Sequence, residues 1–327
     1  MLKRDNFLKR RPHRSFRRTR RRDYKRSLKL PGYWALTQQI FLTLNKRKRL
    51  FILLALLFGI GTIALSSMMS QDAYSQLKDM LDEATEGGAV STITTNLALF
   101  WGVFTSQLSG AAEVGSSQQI FGVLLGLYVW LAVIWLLRAI LAGKHPRLRD
   151  GLYNSGGPVL SLLVLVFILV IQLIPAAVAL IAYGAADASG LLDQTVMLML
   201  FGGGAILLAV LSLYWLTSTL FAMVIITLPG IYPMQAIKMA GDLVIGRRIR
   251  ILLRLLWSVI LLLIMWIVVL LPVILIDSAL KSAIPGLDWL PLVPLVALML
   301  MAWTLVFEAS YVYMFYRKVV DDDSAPA

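Results

Sequence analysis

Glu308 lies in the apolar run "MAWTLVFEASYVYMFYRK", about 13 Å along a helix from the next basic residue, Arg317, at about 1.5 Å per residue. A carboxylate in such a setting is costly, so it either pairs with a cation or serves an ion or substrate path. Arg254 in "RRIRILLRLLW" and Arg138 in "WLLRAIL" enter other apolar runs from their basic ends, and Gln172 stands beside Pro175 in "VIQLIP". Two uses follow. A Glu308 to Arg254 pair would be structural, whereas a proton or substrate relay through Glu308, with Gln172 as a polar companion, would make the chain a small-solute or lipid permease.

Other chemistry is sparsely provided. The chain has no cysteine, which excludes disulfides and thiolate nucleophiles or ligands, and two histidines, His13 and His145. That inventory argues against a metal centre or a histidine acid-base pair, and no metal or other cofactor is expected. Neither a phosphate-binding GxxxxGK nor a dinucleotide GxGxxG occurs in a strand-to-helix setting. "FGGGAI" at 201–206 lies inside an apolar run, where small residues let helices approach closely. The chain reads as a non-enzyme, with catalysis by other intramembrane residues the alternative.

A second group of charges lies near the start, in "RRPHRSFRRTRRRDYKRS". Arg10, Arg11, Arg14, Arg17, Arg18, Arg20, Arg21, Arg22, Lys25 and Arg26 would bind an anionic surface. Each cation near an anionic leaflet contributes about 1 kcal/mol. RNA or a ribosome would use the same residues, but only Phe7, Phe16 and Tyr24 are available to stack on bases. A third role, as a topology determinant alone, stays open. Residues 1–32 are expected to form a disordered arm, since like charges repel and little can be buried.

The elements that must position these groups are membrane spans. Residues 1–49 hold 18 of the 31 Lys and Arg against two acids, so they carry +16 and the remainder −3. With 59% apolar and 15% charged residues and a mean hydropathy of +0.77, the composition lies beyond that of soluble domains. A spanning helix takes about 20 apolar residues. Six runs qualify, at about 50–69, 120–141, 158–184, 195–228, 251–276 and 291–316, within a membrane domain covering 33–320 and followed by an acidic cytosolic tail at 321–327. The expected fold is therefore all-α, a polytopic helical bundle of six transmembrane helices. A signal peptide has a shorter apolar core, about 7–15 residues, so the first run is expected to be retained. The fourth is longer than a bilayer requires and should tilt or project into water.

After residue 49, eleven of thirteen Lys and Arg fall on the side of the N-terminus, and only Lys78 and Lys281 fall on the other. The positive-inside rule then places both termini in the cytosol, in an inner or plasma membrane. In the long outer connection, Ile93, Leu97, Phe100, Phe104 and Leu108 recur at helical spacing, for a helix at the outer interface or packed over the bundle.

Three cytosolic segments precede outgoing spans: "YWALTQQIFLTLNKRKRLF", "HPRLRDGLYNSGGPVLSLL" and "YPMQAIKMAGDLVIGRRIRILL". Each reads as an interfacial elbow, a short amphipathic helix with basic residues at the phosphates, and together they suggest an internal repeat. The third elbow carries Lys238, Arg247, Arg248 and Arg250.

The third unit and the closing "FEASYVYMFYRKV" resemble a broad group of bacterial six-span proteins: the membrane domain found with some glycerophosphodiester phosphodiesterases, and YciC-like families. The resemblance rests on Ala236, Lys238, Ala240, Leu243, Gly246 and Arg247 in the elbow and Tyr313, Tyr316 and Arg317 at the last span end. It implies architecture over about residues 33–320 and leaves the arm aside. Three functions follow as expectations: a scaffold or lipid-associated factor holding anionic headgroups, a permease using Glu308, or a membrane tether for RNA or ribosomes. No protein partner is specified by the sequence.

Overall fold

A computed structural model provides the structure, and it describes residues 32–66, 116–191, 194–283 and 292–324. The arm with its ten anionic-surface residues, the outer-loop helix expected near residues 93–108, and residues 325–327 of the expected tail lie outside the described residues. Among the described residues all regular structure is helical, in nine helices: α1 (Tyr33–Lys46), α2 (Lys48–Ser66), α3 (Ser116–Leu141), α4 (Leu148–Ser155), α5 (Val159–Ala188), α6 (Thr195–Ile225), α7 (Pro233–Val244), α8 (Arg248–Ala283) and α9 (Leu292–Ser324). The expected runs at 120–141, 158–184, 195–228, 251–276 and 291–316 correspond to α3, α5, α6, α8 and α9. These five helices are long and apolar enough to cross a membrane. The short helices α1, α4 and α7 each precede a long one.

Burial divides the long helices into two groups, and the more apolar group is the less buried. The most apolar stretches of α3 and α9 have mean hydropathies of 2.2 and 2.0 and are 50% and 44% buried. Those of α5, α6 and α8 are more apolar, at 3.0, 2.4 and 3.4, yet only 11%, 6% and 17% buried. In water the most apolar helix would be the one hidden, because each Å² of apolar surface left exposed costs about 25 cal/mol. Exposure of the three most apolar helices is what a hydrocarbon solvent permits.

The described residues fall into two compact units, one of residues 32–43, 157–258 and 310–324, the other of 44–156 and 259–309. In the first, α5 and α6 form a hairpin closed by a turn with Gly190 at φ +70°. Pro175 lies inside α5, and the Ala176 amide beyond it donates to Ser212 Oγ of α6 at 3.1 Å. Hydroxyls of neighbouring helices are the usual remedy for proline breaks in lipid, where backbone groups have no water. After "TLPGIY" the chain enters α7, with Pro233 at its first position, where a missing N–H costs nothing. Ala236, Ala240 and Val244, spaced by four, are buried, and α7 packs on α6. Gly246, at φ +79°, then turns the chain into α8, a backbone conformation that side chains other than glycine adopt at a cost.

In the second unit, Phe51, Leu54, Ala55 and Phe58 make the buried stripe of α2, and α3 is buried continuously from Val129 to Ile134. α4 packs on α3 through Gly151, where a Cβ would stand 2.7 Å from the Leu136 side chain. That contact explains why glycine stands at position 151 of the second basic segment. The Tyr128 hydroxyl donates to the Leu152 carbonyl across the same crossing. Farther along, Trp266, Leu270, Ala297 and Leu300 of α8 and α9 form a core, and Trp266 Nε1 donates to Thr304 Oγ1 at 2.8 Å.

Candidate functional site

The groups with most chemistry gather in the first unit, where α8 begins. Its successive arginines have different surroundings. Arg247 is 2% exposed. Its Nε donates to the Leu243 carbonyl at 2.9 Å and its Nη1 to Asp322 Oδ2 of α9 at 3.2 Å. The side chains of this ion pair are 0% and 5% accessible, so the pair is desolvated and Arg247 is withdrawn from any headgroup. Arg248 is half-buried, its guanidinium 4.3 Å from the centre of the Tyr214 ring on α6. Arg250 and Lys238 are exposed.

One turn on, Arg254 is enclosed. Its guanidinium lies 5.1 Å from the Tyr33 ring centre and 6.0 Å from that of Phe315, a cation held by aromatic faces. Its carbonyl accepts the buried Tyr311 hydroxyl at 3.0 Å. Trp257 Nε1 donates to Thr37 Oγ1 at 3.3 Å and its ring meets Tyr33 edge-on at 5.9 Å, which fastens the start of α1 to α8. Phe221 packs edge-on against Phe315 and Tyr316, at 5.5 and 5.9 Å.

The remaining sequence candidates are placed as follows. Gln172 Oε1 accepts from Thr219 Oγ1 of α6 at 2.6 Å, so the amide ties α5 to α6 four residues from the Ser212 contact to the proline break. Glu308, half-buried on α9, and Arg138, half-buried on α3, each have an interaction partner and neither is a free charge. Tyr313 is buried, while Tyr316 and Arg317 are half-buried. In the second unit the Arg47 guanidinium contacts His145 Nδ1.

Sequence reasoning missed Tyr214, Tyr311, Ser212, Thr219 and Asp322. Ser212 and Thr219 carried a signal, since "LSLYWLTSTLF" is a cluster of hydroxyls in an otherwise apolar run. Asp322 carried none, because its partner lies 75 residues away.

Described residues whose regular structure is all helical, with five helices long and apolar enough to span, have the architecture of a polytopic integral membrane protein. Comparison with protein-family models, with curated proteins and with solved structures gave no match.

Proposed function

We propose that this chain is a six-span scaffold or lipid-associated factor of an inner or plasma membrane, non-enzymatic, with both termini cytosolic and its basic groups on the anionic leaflet. α2 supplies the sixth span, and the short helices α1, α4 and α7 are the cytosolic elbows. The observation that carries the reading is that the three most apolar long helices are the three least buried, which makes the α5–α6 hairpin and α8 lipid-facing surfaces. Two further observations support it. Polar groups inside the long helices are spent on neighbouring helices: Gln172 with Thr219, Ser212 with the Ala176 amide, and Trp266 with Thr304. Such links hold a bundle together. Lys281, an exception to the positive-inside pattern, is neutralised by Asp277 at 2.7 Å. The resemblance to phosphodiesterase-associated membrane domains fits this architecture and stands as part of the proposal.

The absence of cysteine makes the test direct. Ser27→Cys and Ser106→Cys variants are treated with a membrane-impermeant maleimide on intact cells. Ser106→Cys should label at once and Ser27→Cys only after permeabilisation, and the opposite pattern would overturn the orientation. Deleting residues 1–30 should weaken salt-sensitive binding to anionic vesicles. If the deletion instead abolishes co-sedimentation with ribosomes and leaves vesicle binding intact, the RNA tether replaces the leaflet reading. Glu308→Gln should lower the unfolding temperature, whereas lost solute flux at an unchanged unfolding temperature would favour a permease.

A further inference from the structure

We infer that Arg248 and Tyr214 form a binding site for the phosphate of one anionic phospholipid, with its acyl chains laid along the exposed stripe of α6. The inference rests on the membrane reading above and names a ligand and a place for it.

The depth of the site comes from α6. Val196, Leu200, Leu207, Val210 and Tyr214 share one helical face, and all are exposed, from 74% at Val196 to 45% at Tyr214. From Val196 to Tyr214 is about 27 Å of helix, close to the roughly 30 Å hydrocarbon thickness. With α6 entering near Thr195, Tyr214 and the neighbouring exposed Trp215 fall at the far boundary, where tyrosine and tryptophan rings settle. Beyond them α6 changes character, with Thr217, Ser218 and Thr219 and then Phe221 to Ile226 all buried. α7 accounts for part of that burial. Its 12 residues span about 18 Å, matching the roughly 16 Å from Tyr214 to the end of α6, so α7 doubles back along α6 and delivers Arg248 to the Tyr214 ring.

The chemistry comes from what Arg248 does not do. Arg247 is buried on Asp322, and Arg254 is enclosed by rings and has partners. Arg248, among the described residues, has its stacking contact with Tyr214 and no hydrogen bond or ion pair. A guanidinium held over a ring face keeps N–H groups for a ligand, and that fork matches two phosphate oxygens. The Tyr214 hydroxyl adds a donor at the same level, and the fixed positive charge of Arg248 favours an anionic headgroup over a zwitterionic one. Free phosphate would satisfy Arg248 equally well. The apolar stripe that ends at Tyr214 selects the lipid.

The test is non-denaturing mass spectrometry of the full-length protein in detergent, titrated with phosphatidylglycerol or phosphatidylcholine. Phosphatidylglycerol should bind more tightly. Arg248→Gln should weaken it about tenfold, and Arg248→Lys and Tyr214→Leu by about threefold each, because each keeps part of the charge and ring arrangement. Phosphatidylcholine binding should be unchanged. If Arg248→Gln does not yield folded, monodisperse protein, the two milder variants carry the test. Unchanged phosphatidylglycerol affinity in the variants overturns the site, and displacement of the lipid by millimolar inorganic phosphate overturns the lipid assignment. Neutralising the ten basic residues of the arm within the full chain separates this from the wider reading. Loss of anionic preference there, with none in Arg248→Gln, sinks the site and leaves the leaflet reading standing.

Discussion

The α5–α6 hairpin and the pair α3 and α9 are built from similar residue types and meet different surroundings. α3 and α9 contain unbroken buried stretches, Val129 to Ile134 and Ala309 to Phe315, in which every side of the helix is covered by protein. α5 and α6 show most of their leucines, valines and isoleucines to the outside and keep inward a narrow set that includes Ser212, Thr219 and Ala179. Two kinds of cohesion follow. The buried helices are held by shape, and in α9 aromatic rings fit against one another and against Phe221. The exposed pair is linked by a few hydrogen bonds across a small-residue seam, the cohesion expected of helices whose outer faces meet lipid.

Four substitutions break or sharpen that contrast. Phe315→Ala, which removes a fully buried ring packed on Phe221 and Tyr311, should cost about 3–5 kcal/mol in reversible unfolding, the range for large cavities. Asp322→Ala, which takes a buried carboxylate away from the buried Arg247, should cost about 3 kcal/mol in the same assay, with Asp322→Glu recovering part of it. Leu207→Arg examines the outer face of α6. If that face meets hydrocarbon, insertion should become less favourable by up to about 3 kcal/mol, depending on depth, as read from the inserted fraction. A neutral result would mean that water bathes the hairpin. Smallest is Thr219→Val, which removes the bond to Gln172 and should lower stability by about 0.6 kcal/mol in a double-mutant cycle with Gln172→Leu.

The long helices were legible because length and hydropathy decide what crosses a bilayer. The apolar runs at 158–184 and 291–316 nonetheless stop short of α5 and α9, which continue to Ala188 and Ser324. For α9 the reason is specific. "RKVVDDD" looks like a solvated tail, but Val319 is fully buried and Asp322 has a partner in Arg247, so the helix is extended by tertiary contacts. Arg247 misled in the same way, since a run of arginines at a span end reads as headgroup contact until one of them acquires a buried carboxylate. Gln172 was recognised as a polar residue near a kink, but its partner on α6 lies 47 positions away in the chain. Periodicity and charge report on a residue's own helix, whereas the site depends on which helix comes back to meet it.

The doubling-back of α7 and the pairing of Arg247 with Asp322 also order events during synthesis. Arg247 emerges 75 residues before its counterion. At about 5–20 residues per second that is a delay of roughly 4–15 s, during which the corner between α7 and α8 lacks the bond from Arg247 to Asp322. The last turns of α9 therefore act as a closing bolt, and until the ribosome has delivered them this corner should remain open to proteases and chaperones.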